Sequence, residues 1–597
     1  MNTSRQTSLL SLSPMLLCVG LLGAPRSAQA CGGTFCDNLP DPMPVDQRGE
    51  DILFIMDGST IEVQVRIEYT GEAERFAWVL PIQALPEVTV GSDPLFTAMS
   101  NALAPSWQVQ TQYDCDEDDP WAGEGGEDSG GSEPKFDAGG DPGPDVVLEA
   151  VVGAFEVVVL QGGTAQEVID FLNDNDYAQD PNAAPILQSY LDEGFLFAAV
   201  KLAAGADVQA IHPLSFKFQG TEPCVPIRLT RIAAKDDMGI RAYFLGQDRW
   251  APSNYDHVVL NPLAYNWKQS SPAGYVGLLS MAVDEAGGHA FATEYAGSPN
   301  KVETFNIYRP TWDETAFVGV DPIAAIDIIA DQALNIHPLI QALLLEFIPP
   351  PDGVDATEFW NNIDFYADQI NLMAWDDLAF SAGVLERIIE PGLHAVDLLD
   401  TWPKLTRLNT TISPSEMTLD PTFHANADLP DVTSTIVTTT EQVLCGGDSV
   451  FRVAVEKDQM PVCVPEGASY PGWEQMPNAL RVEKVPQMGP PQVESDNAAA
   501  IAAAYESYQS SVQCLADGGE TGGSGTGTSG GDGDGDGGGG SGAADDGDGT
   551  ETGPGYNLPY DVSCGCSSQD GRAPIGLALG LLVLGLIGPW RRQGARG

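Results

Sequence analysis

The stretch ILFIMDGSTIEVQVRIEY, residues 52–69, contains two apolar runs separated by a turn signal. From Ile61 to Tyr69 apolar and polar side chains alternate, which predicts a β-strand with one buried face and one solvated face. Asp57-Gly58 lies between this strand and the apolar run Ile52–Met56, and such a dipeptide between strand-like runs favours a tight turn. The stretch therefore predicts a β-hairpin at the start of the folded part.

More strand-like runs follow along the chain, at Phe155–Leu160, Phe195–Leu202, Leu214–Phe218, Ile227–Ile232 and Ile240–Leu245. Thr164 and Glu167 have the spacing of a capping box, which predicts a helix that ends near Asn173. Strands that outnumber helices in this way favour an antiparallel-rich α+β domain over a doubly wound parallel sheet. We assign this N-terminal domain to residues 31–320.

Beyond residue 320 the apolar spacing becomes helical, at Ile323–Phe347, Glu358–Ile370 and Asp376–Ile389. This spacing predicts a helical region of the same ectodomain over residues 321–430. Residues 431–517 return to β-branched alternation at Thr435–Val443 and Ser449–Val455. This last segment ends on a predicted helix, Ala498–Tyr508.

Two segments have the composition of disordered chain. Residues 518–555 consist mainly of Gly, Asp, Ser and Thr, and they cannot bury enough apolar surface to offset the entropy of ordering. We predict a disordered linker, or stalk, there. Residues 114–145 are rich in acidic residues, Gly and Pro and predict a long disordered surface loop. A domain boundary is the alternative for that second segment.

The charge of the chain restricts its partners. With 85 acidic and 27 basic residues, the formal net charge is -58. Such a chain is repelled by the phosphates of nucleic acids and by anionic lipid headgroups, so nucleic acid is excluded as a partner. Solubility and mutual repulsion are the simplest roles for this acidity. Cations are the partners that the charge favours.

Both ends of the chain have the pattern of targeting segments. In residues 1–30, Arg5 precedes an apolar stretch, and Ala28-Gln29-Ala30 fits the small-x-small cleavage rule of a signal peptide. Cleavage after Ala30 makes Cys31 the first mature residue, and lipid attachment to this Cys is the alternative. Near the other end, the uncharged run Ala573–Trp590 would extend about 27 Å as a helix, which predicts a transmembrane helix over residues 573–590.

The tail also resembles a known sorting signal. Cys564-Gly565-Cys566, the apolar run and the arginines that follow it are similar to the myxobacterial C-terminal tail MYXO-CTERM over residues 564–597. The resemblance implies recognition by envelope sorting machinery, with processing at Cys564 or Cys566 and display at the cell surface. We therefore expect an exported protein, anchored to the membrane of the outer envelope or cell surface through this tail.

Several ectodomain motifs resemble a second bacterial family, domain of unknown function 2330. They are Cys31-Gly32-Gly33-Thr34-Phe35-Cys36, Trp78-Val79-Leu80-Pro81, Gly288-His289-Ala290-Phe291-Ala292-Thr293-Glu294-Tyr295, Leu405-Thr406-Arg407-Leu408, Ser413-Pro414-Ser415-Glu416-Met417 and Asp420-Pro421. The resemblance spans residues 31–430. It implies an exported location and no known activity, so it carries over no catalytic residue.

Disulfides are the default for the cysteines of an exported chain, and the candidates outside the tail are Cys31, Cys36, Cys115, Cys224, Cys445, Cys463 and Cys514. Cys445 and Cys463 flank a predicted hairpin, and Cys31 and Cys36 are spaced to close a small loop. The other pairings are open. A metal site needs reduced thiolates at a tighter spacing, so no metal or other cofactor is predicted.

The sequence contains no recognisable catalytic constellation. The six histidines are scattered, and His289, beside Glu294 in a family-like motif, is the one exception to a purely structural interpretation. The leading hypothesis is a non-enzymatic structural or interaction protein that binds a surface ligand or another protein. A secreted hydrolase that uses carboxylates such as Glu294 and a calcium-dependent adhesin are the alternatives.

Overall fold

The computed structural model describes residues 34–37, 46–70, 77–113, 145–175, 177–178, 183–203, 210–444, 446–456, 458–473 and 475–514. The strands are β1 Thr34–Asp37, β2 Asp46–Asp57, β3 Thr60–Thr70, β4 Ala77–Ile82, β5 Glu87–Val90, β6 Ser106–Tyr113, β7 Asp145–Val152, β8 Phe155–Gln161, β9 Tyr177–Ala178, β10 Leu196–Leu202, β11 Leu214–Gln219, β12 Ala234–Gly246, β13 Arg249–Pro252, β14 Asp256–Leu260, β15 Ala290–Gly297, β16 Lys404–Ile412, β17 Phe423–Asn426, β18 Thr435–Val443, β19 Ser449–Val455, β20 Asp458–Val464, β21 Ala479–Lys484 and β22 Gln492–Asp496. The α-helices are α1 Asp93–Leu103, α2 Ala165–Asp174, α3 Ala183–Asp192, α4 Ile227–Thr230, α5 Pro272–Glu285, α6 Pro322–Asp331, α7 Leu339–Phe347, α8 Ala356–Asn361, α9 Asp377–Val384, α10 Glu390–Thr401 and α11 Ala498–Ser511.

Several sequence predictions lie outside these residues. They concern the signal peptide 1–30, all but the last residue of the loop 114–145, the linker 518–555, the tail 564–597 and its transmembrane helix 573–590. Among the helices that the structure describes, none is long and apolar enough to cross a membrane.

The predicted hairpin is confirmed, since β2 and β3 pair in antiparallel register. Asp57 lies opposite Thr60, which leaves Gly58 and Ser59 as the turn. Gly58 has a φ of 62°, a left-handed conformation that glycine adopts without steric cost. The turn therefore lies one residue beyond the predicted Asp57-Gly58.

Two large sheets form the centre of the fold. The first has the strand order β7-β8-β10-β4-β1-β9, and its neighbouring strands are antiparallel. The second has ten strands in the order β22-β21-β14-β15-β16-β12-β2-β3-β11-β5. Its parallel pairs among the described strands are β14 with β15 and β12 with β2. The predicted antiparallel-rich α+β class is confirmed.

The two sheets pack face to face around one apolar core. Phe54 and Val63 of the ten-stranded sheet meet Leu80 and Val157 of the six-stranded sheet in this core. Helices α2 and α3 cover the outer face of the six-stranded sheet, and α1 and α10 cover the outer face of the ten-stranded sheet. The layers therefore run helix, sheet, sheet, helix.

The capping box that begins α2 is confirmed. The Thr164 side chain accepts a hydrogen bond from the Glu167 N–H, and the Glu167 carboxylate accepts one from the Thr164 N–H. These two bonds satisfy backbone donors that the first helical turn leaves free. The helix ends at Asp174, one residue beyond the predicted Asn173.

The predicted strand Ile227–Ile232 is wrong, because residues Ile227–Thr230 form the short helix α4. Ile227 belongs to the core between the two sheets, whereas Leu229 belongs to the core under α2 and α3. On a strand, side chains two residues apart face the same side of the sheet. In a helical turn they point in nearly opposite directions. The apolar pattern of the sequence alone could not distinguish a strand from a short helix here.

Helices α6 to α9 enclose an apolar core of their own. The predicted run Ile323–Phe347 is divided into α6 and α7 near Ala333, whose φ is 53°, and Pro338, which lacks an N–H donor. The run Asp376–Ile389 passes through a π-helical turn, Leu385–Ile389, into α10.

The helices end well before residue 430. α10 ends at Thr401, and β16 then enters the ten-stranded sheet between β15 and β12. The β-branched residues Thr410, Thr411 and Ile412 favour this strand conformation. The region predicted as helical over 321–430 is therefore helical only as far as Thr401 in the described chain.

The strands and the helix predicted in residues 431–517 are confirmed as β18, β19 and α11. The order β20-β19-β18-β6 forms a four-stranded sheet, in which β6 runs parallel to β18. β21 and β22 instead extend the ten-stranded sheet. Strands from all three predicted ectodomain segments thus share that sheet.

Candidate functional site

Three strands bring a hydroxyl, an imidazole and a carboxylate together at one end of the ten-stranded sheet. β14 pairs with β21 so that His257 lies opposite Glu483, and β14 also runs beside β15, which carries Thr293. Thr293 Oγ1 is 2.9 Å from His257 Nε2, and His257 Nδ1 is 3.2 Å from Glu483 Oε2. We call this arrangement the Thr293–His257–Glu483 chain.

The direction of the hydrogen bonds follows from the charge of Glu483. Burial alone would raise the pKa of Glu483, but hydrogen bonds from His257 and Arg481 outweigh burial and hold the pKa below its usual range. An ionised carboxylate can only accept, so His257 Nδ1 carries the proton. In the neutral imidazole, Nε2 has a lone pair that accepts the proton of the Thr293 hydroxyl.

Arg249 lies beside this hydroxyl. Its Nη2 donates to Thr293 Oγ1 at 2.9 Å and its Nη1 donates to the Pro430 carbonyl oxygen at 2.9 Å. The residue is only 7% exposed, and its Nε has no hydrogen-bond partner among the described residues. Burial lowers the pKa of Arg249, and the nearby carboxylates of Glu483 and Asp431 offset this only in part.

Glu294, the candidate carboxylate of the hydrolase hypothesis, is buried and paired with other side chains. Its Oε2 lies 2.6 Å from Arg407 Nε, and its Oε1 accepts a hydrogen bond of 2.7 Å from Asn409 Nδ2. Glu294 and Arg407 are each 4% exposed. A buried carboxylate with these partners is not available to a substrate or an attacking water.

The family-like motifs contact one another across the fold. Thr34 pairs with Trp78 where β1 meets β4. His289 Nε2 lies 2.7 Å from the Glu416 carbonyl oxygen, and the His289 ring packs edge-on against Tyr255. His289 therefore joins two motifs, as a structural histidine does.

The described cysteines differ in their roles. Cys463 forms a disulfide with Cys514, so its partner is not Cys445. Cys224 forms no disulfide with any residue that the structure describes, and burial raises the pKa of its thiol. Cys36 lies in β1. The remaining candidates Cys31, Cys115 and Cys445, with the processing residues Ala30, Cys564 and Cys566, lie outside the described residues.

A cavity of about 30 Å³ lies between the two sheets, large enough for water but not for a substrate. Its wall includes Glu50, Pro81 and Cys224. Glu50 is 3% exposed and its Oε2 has no hydrogen-bond partner in the described chain. Burial, with a smaller contribution from Asp51, raises the pKa of Glu50 to about 7.

The helical part exposes four large apolar side chains within one short segment, and they are Phe365 (80% exposed), Leu372 (69%), Met373 (98%) and Leu378 (63%). We call these four residues the apolar loop surface. The segment is held in place, because Trp375 Nε1 donates to the Val320 carbonyl oxygen at 3.0 Å and Asn371 Oδ1 accepts from the Met373 N–H at 3.2 Å. Residues 310–386 contain many carboxylates and no Lys or Arg.

In the described part of the chain, no group of three His, Cys, Asp or Glu side chains is arranged to hold a metal ion. Neither the Thr293–His257–Glu483 chain nor the apolar loop surface was predicted from the sequence. No sequence motif indicates the Thr293–His257–Glu483 chain. The absence of Lys and Arg from residues 310–386 is a sequence signal for the apolar loop surface.

Comparison with known proteins agrees in part with the expected resemblance. Residues 25–312 match a family described as an uncharacterized protein conserved in bacteria, DUF2330. The match covers both motif strands β1 and β4 as well as His257 and Thr293, and it ends before α6. No curated protein matches the chain.

Two solved structures were also found, both of a mutated baculovirus P35 after caspase cleavage, at 2.7 and 3.1 Å resolution. They are 13% and 14% identical to this chain, and the matches cover 38% of it and 78% and 82% of those chains. The TM-score of 0.19 in both cases is too low to indicate a shared fold.

Proposed function

We propose that the chain is an exported interaction protein that is anchored at the cell surface and binds a cationic protein partner. The signal-peptide pattern of residues 1–30 and the sorting-tail pattern of residues 564–597 support the location. Envelope sorting machinery would recognise this tail, and the membrane contact would be made through it. The apolar loop surface supports the binding role.

The exposure of this surface is not required by the fold. Met373 is 98% and Phe365 80% exposed, although residues near them in sequence, Ile363 and Phe380, are buried in the apolar core of the helical part. Exposed apolar side chains that are grouped and rimmed by polar residues mark sites of association. The hydrogen-bonded turn at Asn371 fixes the backbone at Met373, which reduces the part of the chain that binding must order.

Charge narrows the class of partner. The surrounding segment 310–386 lacks Lys and Arg, and the whole chain has a formal net charge of -58. A second copy of this chain, a nucleic acid or an anionic lipid surface is repelled by such a field. A basic protein segment with an apolar face is complementary both to this negative charge and to the apolar loop surface.

A binding titration tests this proposal. The probe is a synthetic peptide of Leu and Lys that folds as an amphipathic helix, added to the full chain at low and physiological salt. Replacing Leu372 and Met373 together by Ser should weaken binding at least about tenfold, because burying one such side chain contributes about 1.5–3 kcal/mol. Met488→Ser is the matched control, since Met488 is 81% exposed elsewhere on the surface.

Charge is tested separately. Asp364→Asn with Asp368→Asn should slow association and reduce its salt dependence, since both side chains are exposed. Equal affinity of the wild type and the Leu372/Met373 variant for the peptide would contradict the proposal. Binding to zwitterionic vesicles but not to the peptide would contradict it as well and would indicate a lipid surface instead.

A further inference from the structure

We propose that the Thr293–His257–Glu483 chain is an acyl-transfer site that hydrolyses small carboxylic esters. Thr293 is the nucleophile, His257 the general base, and Arg249 the donor that stabilises the oxyanion. Glu483 is the positioning residue that orients the imidazole. This activity is independent of the binding role proposed for the apolar loop surface.

The geometry has the order that nucleophilic catalysis requires. The nucleophile and base are 2.9 Å apart, and the base is oriented by a carboxylate at 3.2 Å on its other nitrogen. Thr293 is only partly buried, unlike its buried neighbours Ala292 and Glu294 on the same strand. A buried strand hydroxyl elsewhere, that of Thr410, bonds to a backbone carbonyl oxygen instead.

The environment of Arg249 supports the acyl-transfer site independently of the Thr293–His257–Glu483 geometry. A purely structural network would pair a guanidinium that is 7% exposed with a carboxylate, because an unpaired buried charge is costly. The carboxylates of Glu483 and Asp431 offset only part of the cost of burying Arg249, no described carboxylate forms a direct ion pair with it, and its Nε has no described hydrogen-bond partner. Developing negative charge on a substrate oxygen next to Thr293 would add the direct ion pair that these carboxylates do not form.

The reaction balances without a cofactor. Thr293 Oγ1 attacks the ester carbonyl carbon while its proton passes to His257 Nε2, and the carbonyl oxygen becomes an oxyanion beside Arg249. The bond to the alcohol oxygen then breaks, and the alcohol leaves with the proton from Nε2. Water attacks the acyl-Thr293 ester by the same route, which releases the carboxylic acid and restores the Thr293 hydroxyl.

The test uses the full chain with p-nitrophenyl acetate and with a fluorophosphonate probe whose site of attachment is mapped by mass spectrometry. We expect turnover above the buffer rate and a label on Thr293. Thr293→Val and His257→Asn should each lower kcat on the order of 100-fold. Thr293→Ser should retain activity, and Glu483→Gln should lower kcat with little change in KM.

Thr410→Val is the matched control, because it removes a buried strand hydroxyl outside the site. It should keep the wild-type rate, and circular dichroism melts should show that all variants are folded. Equal rates for folded wild type and folded Thr293→Val, or a label on another residue only, would overturn the proposal. Absence of any turnover and any label in the wild type would also overturn it.

Discussion

Replacing Glu50 by Gln should remove a pH dependence from the stability of the fold. Glu50 lies on β2 and faces the cavity between the two sheets, where its Oε2 lacks a partner among the described residues. The neighbouring apolar residues cannot solvate an ionised carboxylate. Glutamine has the same shape and never ionises, so the variant isolates the contribution of the charge.

The magnitude follows from the pKa. Burial raises the pKa of Glu50 from 4.5 to about 7, so the folded protein holds this proton more tightly than the unfolded chain does. The stabilising effect of the proton is complete below pH 4.5 and is lost as the pH rises through 7. At about 1.4 kcal/mol for each pKa unit, the loss amounts to about 3 kcal/mol.

The assay is urea denaturation of the full chain at pH 5 and pH 8 for the wild type and the variant. We expect Glu50→Gln to be more stable than the wild type at pH 8 by about 3 kcal/mol and to show a smaller difference at pH 5. Glu87→Gln, at an exposed position of β5 in the same sheet, should follow the wild type. The reasoning would be refuted if the free energy of unfolding changed between pH 5 and pH 8 by the same amount in Glu50→Gln as in the wild type.

Three further predictions concern other parts of the chain. Arg407→Met leaves Glu294 buried without its ion-pair partner and should lower the free energy of unfolding by about 3–5 kcal/mol in urea denaturation, with full stability contradicting the assigned role. Replacing Cys463 and Cys514 together by Ser should cost about 2–4 kcal/mol in the same assay, and a reducing agent should then have a smaller effect on the variant than on the wild type. Deleting residues 573–597 should release the ectodomain into the medium, as immunoblots of cell and medium fractions can show, whereas continued surface retention would contradict the sorting role.

Local signals in the sequence predicted individual elements well. The hairpin of β2 and β3 and the capping box of α2 depend on residues only a few positions apart, so the sequence contains their full physical cause. Local signals failed for the short helix Ile227–Thr230. Two side chains of that helix enter two different cores, and these cores exist only after distant strands have paired.

The candidate sites depend even more on long-range pairing. His257 and Thr293 are 36 residues apart, and Glu483 lies 226 residues beyond His257. Only the order of β21, β14 and β15 in the sheet brings them together. For the apolar loop surface, helical spacing predicts apolar residues but cannot tell that Leu372 and Met373 face outward at a turn.

The central claim is that the apolar loop surface binds a basic protein partner at the cell surface. Site-specific photo-crosslinking on intact cells tests it most directly, with a photoreactive amino acid introduced at position 373 or, as the control, at position 488. Both positions are highly exposed, at 98% and 81%. We predict a protein adduct with a basic partner from position 373 and none from position 488. Equal adducts from both positions, or none from position 373, would contradict the account.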